Sequence, residues 1–105
     1  MRYDGWAKLH RRFLEQDWYY DTNTKLVFIH LLLTVNSMPR SYRGKSIEAG
    51  QRLFSRKGLA NEVGISIQQL RTALDKLLAD NKIIIESTNK GSLVTINNWA
   101  FYEEE

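Results

Sequence analysis

Gln68, Gln69 and Thr72 sit close enough in the chain to share one side of a helix, and their side chains suit the reading of base edges. Gln pairs bidentately with adenine, and Thr meets either a polar base edge or the thymine methyl in a major groove. Phosphate-seeking residues accompany them. From Arg40 to Lys57 the chain carries Arg40, Arg43, Lys45, Arg52, Arg56 and Lys57 against Glu48 alone, with Lys76 and Lys90 further on. Such a local excess of positive charge is a candidate phosphate-facing surface. The same residues also fit a solvated helix face and an ordinary basic loop.

Catalytic chemistry is thinly provided. His10 and His30 are the only histidines, and His30 lies in an apolar helical pattern that suits a hydrogen-bonded core residue better than a general base or metal ligand. Asp17 and Asp21 are four apart but straddle a predicted helix break, which gives a shared metal site little geometric support. Gly58 and Gly64 lack the Lys-Ser/Thr that a nucleotide-binding loop needs, and cysteine is absent. The expectation is a binding module without catalytic residues, cofactor or metal. Arg71 is either a phosphate contact or, as we favour, a structural partner of Glu62 or Asp75.

The elements that position these residues follow from punctuation and periodicity. Ser55 caps a short helix carrying Leu59, Ala60 and Val63, which Gly64 ends. Ser66 caps a second helix, whose Ile67, Leu70, Leu74, Leu77 and Leu78 recur at amphipathic spacing and turn Gln68, Gln69, Thr72, Asp75 and Lys76 outward. Before this helix-turn-helix, Ala49-Gly50 reads as a turn into a short strand ending at Phe54. After it, the β-rich runs Ile83 to Thr88 and Ser92 to Asn97 are joined by Asn89-Lys90-Gly91. Strand, helix, turn, helix and hairpin in that order specify a winged helix, with Lys90 at the wing tip within reach of a phosphate. Upstream, Trp6 to Gln16 reads as an amphipathic helix, and Asp21 caps a second, strongly apolar helix running to about Asn36, with only His30 and Thr34 as a polar stripe. Met38 to Ser46 reads as a basic loop. Trp18, Tyr19 and Tyr20, with any strip of the apolar helix left uncovered, suit a homodimer contact.

The predicted fold class is α+β, mainly α: a winged helix-turn-helix with two extra N-terminal helices and a β-hairpin wing. It forms one domain over 1–105, with N-terminal helices in 1–37, the winged-helix core in 47–97 and a tail from 98 that begins a linker. A chain of 105 residues, 43% hydrophobic, is large enough for one core without disulfides or metals. The net charge of +3 understates its basic character, because Glu103, Glu104 and Glu105 supply three of its twelve acidic groups. The apolar run Leu26 to Leu33 is far shorter than the roughly 20 residues that span a bilayer, and the first residues carry no apolar signal core. The expected setting is therefore cytoplasmic, without a membrane partner.

Several stretches together resemble a known family. They are Gly5-Trp6-Ala7-Lys8-Leu9-His10-Arg11, Phe28-Ile29-His30-Leu31-Leu32-Leu33, Gly50-Gln51-Arg52-Leu53, Ser55-Arg56-Lys57-Gly58-Leu59-Ala60, Ser66 with Gln69-Leu70-Arg71-Thr72-Ala73-Leu74, Thr88-Asn89-Lys90 and the closing Asn98-Trp99-Ala100-Phe101-Tyr102. They are similar to the N-terminal domain of phage and prophage replication initiation proteins, the replisome organisers, related to the DnaD-type primosome winged helix. The similarity runs over nearly the whole chain. It implies binding of double-stranded DNA at a replication origin, in the cytoplasm of a bacterial host near the nucleoid. It also implies assembly into a homodimer or higher oligomer, and contact with a replicative helicase or its loader through regions outside this chain. The family leaves open a DnaD-like oligomerisation scaffold that does not touch DNA, and the helix-turn-helix equally fits a transcriptional repressor.

Overall fold

Two serines and a glycine set the register of the central helices. A computed structural model describes residues 5–102. In it, Ser55 Oγ accepts from the Gly58 N–H at 3.1 Å and starts α2 (Arg56–Val63), and Gly64, at φ +90°, ends it in the left-handed conformation. Ser66 and Gln69 form a reciprocal capping box at the start of α3 (Ile67–Ala79), the Ser66 N–H donating to Gln69 Oε1 at 2.9 Å and the Gln69 N–H to Ser66 Oγ at 3.0 Å. The far end of α3 is closed by Asn81 at φ +58°, with the Lys82 N–H donating to the Leu77 carbonyl and the Asn81 N–H to that of Leu78. This Schellman arrangement turns the chain into the sheet.

The sheet has three antiparallel strands in the order β3-β5-β4, where β3 is Gln51–Phe54, β4 Ile83–Thr88 and β5 Gly91–Ile96. Opposite Thr88 stands Gly91, so the connecting turn is the two residues Asn89 and Lys90, one shorter than predicted. At the start of β3, Gly50 has φ +82°, and a Cβ there would lie 2.6 Å from the Trp99 ring, so both conformation and packing require glycine. The helix α1 (Thr22–Thr34), capped by the Asp21 carboxylate on the Thr24 N–H, packs across α3. The core lies where Val27, Phe28, Leu31 and Leu32 of α1 meet Leu70, Ala73, Leu74 and Leu77 of α3, Leu59 of α2, and Ile83, Val94 and Ile96 of the sheet. The described residues thus form an α+β domain with three α-helices and two small antiparallel sheets, an arrangement compatible with a helix-turn-helix plus hairpin.

Three expectations are corrected. Trp6 to Gln16 is not an amphipathic helix: only the 3-10 turn Arg11–Glu15 forms, with no buried residue in it, while Trp6, Leu9 and Leu14 are exposed. An isolated segment of that length gains little from helix formation, and tertiary contacts hold it in another shape. The Lys8 N–H donates to the Tyr102 carbonyl at 2.7 Å, and Phe13 alone turns inward against Trp18 and Phe28. Met38 to Ser46 is not a loop but mostly a hairpin, β1 (Arg40–Tyr42) with β2 (Lys45–Ile47), turning through Arg43 at φ +49° and Gly44 at φ +81°. That is the backbone of a type I′ turn, with Arg standing where Asn or Asp usually signals one. The helix α1 is buried or half-buried over most of its circumference, as expected, and leaves one strip open at Leu26 and Leu33, 44% and 59% exposed. Beyond Asn98 the described chain is not a free tail, since the turn Trp99–Phe101 and Tyr102 pack back against the core. Glu103, Glu104 and Glu105 lie outside the described residues.

Candidate nucleic-acid interface

α3 buries one face and presents the other. Gln68, Gln69, Arg71, Thr72, Asp75 and Lys76 are all exposed, but they are not equivalent. Gln69 and Ser66 are tied to each other in the capping box, so using either to contact DNA would open the start of the helix. The Thr72 hydroxyl donates to the Gln68 carbonyl at 3.1 Å, which leaves its oxygen able to accept. Lys76 is drawn sideways onto Asp21, the cap of α1, and this ion pair, with the Thr24 backbone bond, holds the Asp21 carboxyl below its ordinary range. The face left open for a ligand is therefore Gln68, Arg71 and Thr72, with Asp75 beside them.

Arg71 was expected to bind Glu62 or Asp75. Glu62 is instead occupied from elsewhere: Arg52 grips both its oxygens at 3.0 and 3.1 Å while donating to Thr34 Oγ1 at 2.9 Å, and His30 Nε2 lies 2.8 Å from Glu62 Oε1. This fork of Arg52 chiefly, then the His30 contact, pushes the Glu62 carboxyl down to about 2 despite partial burial. Among the described residues Arg71 has no ion-pair partner. His30 makes a hydrogen bond as expected but is not a core residue, with 26% of its side chain exposed where α1 meets α2.

The basic stretch from Arg40 to Lys57 divides into separate groups. Arg52 is neutralised by Glu62. Arg43, over the Tyr42 ring at 5.3 Å, and half-buried Lys45 belong to the β1–β2 hairpin, which precedes the Gln51 end of β3. Arg56 and Lys57 follow the other end. There Phe54 pairs with Ser92, and Arg56 both donates to Ser92 Oγ at 3.1 Å and lies over the Phe54 ring at 5.6 Å. Lys90 is two residues before Ser92, so Arg56, Lys57 and Lys90 gather where the start of α2 meets the tip of the β4–β5 hairpin.

The three aromatics named for an interface also separate. Trp18 is 6% exposed and its Nε1 donates to Asp80 Oδ2 at 2.9 Å, making it a core residue that fastens the turn before α1 to the end of α3. Tyr19 is half-buried, edge-on to Phe13 and under the Lys25 ammonium, whereas Tyr20 is 88% exposed. Sequence reasoning missed the pairs Arg52–Glu62, Lys76–Asp21 and Trp18–Asp80. Their partners are too far apart in the chain for spacing to signal them.

These features define an α+β domain with an open helix face and a cationic corner beside a hairpin. Compared with known proteins, the chain matches no family model, no curated protein and no solved structure.

Proposed function

We propose that residues 47–97 form a winged helix that binds duplex DNA, with α3 in the major groove and the β4–β5 hairpin as the wing, and that the chain is the DNA-binding domain of a phage-type replication initiation protein acting at an origin in the bacterial cytoplasm. The observation that carries this reading is the exposed face Gln68, Arg71 and Thr72 on α3, accompanied by the Arg56, Lys57 and Lys90 corner. The helix offers base-edge chemistry and the corner offers phosphate contacts, the division of labour of duplex readers. The reading assigns these residues to binding rather than to catalysis. Titrating a labelled duplex at several salt concentrations tests it. Three phosphate contacts give a slope of about −2.7 in log K against log salt, and Lys57→Ala/Lys90→Ala should lower its magnitude by about 1.8. Asp75→Asn should tighten binding several-fold by removing a carboxylate from the same face. Absence of duplex binding by folded protein at low salt sinks the proposal. Preference for repeated origin sites supports replication, whereas sites confined to promoters favour a repressor.

A second reading, an assembly scaffold, is favoured by one observation: Leu26 and Leu33 are exposed on α1, with Tyr20 just before its cap. Apolar side chains in such a strip are the kind that anchor interfaces. Light scattering at rising concentration decides it. A dimer that dissociates in Leu33→Glu, with duplex binding absent throughout, supports the scaffold; a parent that remains monomeric removes it.

A further inference from the structure

The geometry points to a second nucleic-acid site, one for single strands, in the groove between the N-terminal segment and the closing turn Trp99–Phe101. It does not rest on the reading of α3, which uses other residues. The groove has a volume of about 1240 Å³, above the roughly 300–1,000 Å³ of small-molecule pockets, which suits a segment of polymer better than a metabolite. Among the described residues its charged lining is of one sign: Lys8, Arg11, Arg12 and Lys82, with His10 beside them and no carboxylate. None of these five side chains has an ion-pair partner among the described residues. In this they differ from Arg52 and Lys76, whose charges are neutralised inside the fold.

The floor is aromatic. Rings follow one another from His10 to Phe101 at 5.2 Å, Phe101 to Tyr102 at 5.4 Å, Tyr102 to Phe28 at 5.8 Å and Phe28 to Phe13 at 5.9 Å. Burial in this row raises the Tyr102 hydroxyl pKa. At its outer end Phe101 is 49% exposed and His10 is also open, so the row ends in surfaces on which a planar group can stack. Rings flanked by unpaired cations are the means by which proteins hold single strands, because every base has a π-face and every nucleotide a phosphate. A duplex keeps its bases stacked within the helix and cannot offer them to such a floor. An acidic peptide would meet the cations but has no use for the rings. The charge complementarity and the ring row together therefore select unpaired DNA or RNA as the occupant.

The probes are labelled oligo-dT, oligo-U, an abasic strand of the same length and an oligoglutamate peptide, followed by fluorescence anisotropy on the full chain. Oligo-dT or oligo-U should bind at least about tenfold more tightly than the abasic strand, and which of the two binds better assigns the strand as DNA or RNA. Phe101→Ala, at a half-exposed ring, should weaken binding of the preferred strand about tenfold and leave the abasic strand unchanged. Arg12→Ala/Lys82→Ala should lower the magnitude of the salt slope by about 1.4, at about 0.7 per single-strand phosphate. Near-ultraviolet circular dichroism establishes that each variant is folded. Lys57→Ala/Lys90→Ala should retain single-strand binding even where duplex binding is lost, which separates this site from the α3 surface. Failure of oligo-dT and oligo-U alike to bind at low salt overturns the proposal, as do equal affinities for the abasic strand or oligoglutamate. Loss of single-strand binding in Lys57→Ala/Lys90→Ala overturns it too.

Discussion

Glu62 receives the Arg52 fork and the His30 contact on one carboxylate, and so joins β3 and α1 to α2. In the folded protein its pKa falls from 4.5 to about 2. The folded chain therefore keeps the carboxylate ionised where the unfolded chain has already taken up a proton. The stabilisation is complete above about pH 4.5 and is lost progressively as pH falls towards 2. With 41% of the Glu62 side chain exposed, solvent screening limits the pair to about 1 kcal/mol. Glu62→Gln should lower stability by about that amount at pH 7 and flatten the decline between pH 4.5 and 2, as measured by urea unfolding across that range. Parallel pH profiles for parent and variant would count against the assignment. At Gly50 the constraint is steric: Ala there must hold φ +82° and place its Cβ 2.6 Å from the Trp99 ring. Gly50→Ala should cost about 2–4 kcal/mol, readable as a lowered midpoint in the same unfolding experiment.

At the scale of the element, the start of α3 is the sensitive point. Ser66 and Gln69 satisfy two backbone donors that the helix cannot satisfy itself; Gln68 stands within this capped turn, and Arg71 and Thr72 extend from the next. Ser66→Ala should cost about 1 kcal/mol of stability and increase amide exchange in the first turn of α3, with the sheet residues Val94 and Ile96 unaffected below the global unfolding rate. Uniform acceleration across the protein would show instead that the cap matters only through overall stability. The hairpin β1–β2 is a contrasting element: its residues are exposed apart from Lys45 and Ile47, and its two strands pair only with each other. Its turn depends on the positive φ angles of Arg43 and Gly44, and Ile47 alone anchors it by burial.

At the scale of the whole molecule, the two ends of the described chain are joined by rings. Phe13 from the N-terminal turn stacks on Phe28 from α1, Phe28 meets Tyr102 after the last turn edge to face, and the Lys8–Tyr102 backbone bond runs alongside. Phe13→Ala should cost about 3 kcal/mol, and should release the N-terminal segment to proteolysis before the core unfolds. Cleavage there at the parent rate would show that the segment is held by other contacts. What the sequence by itself determined lies within three or four residues of its cause. Ser55, Ser66, Gly64 and Asp21 set helix ends through side chains and φ angles that act locally, and the apolar spacing of α3 and the β-rich runs of the hairpin state their own periods. The tertiary structure decided what depends on chain return. Arg52 and Glu62 are 10 residues apart, Lys76 and Asp21 55, and Trp18 and Asp80 62, and no local pattern records such partners. Those pairings chose which cations stay free and tied Trp18 into the core. The same long-range packing kept Trp6 to Gln16 from becoming a helix, because its modest intrinsic propensity yields to the contacts of Lys8 and Phe13 with distant residues.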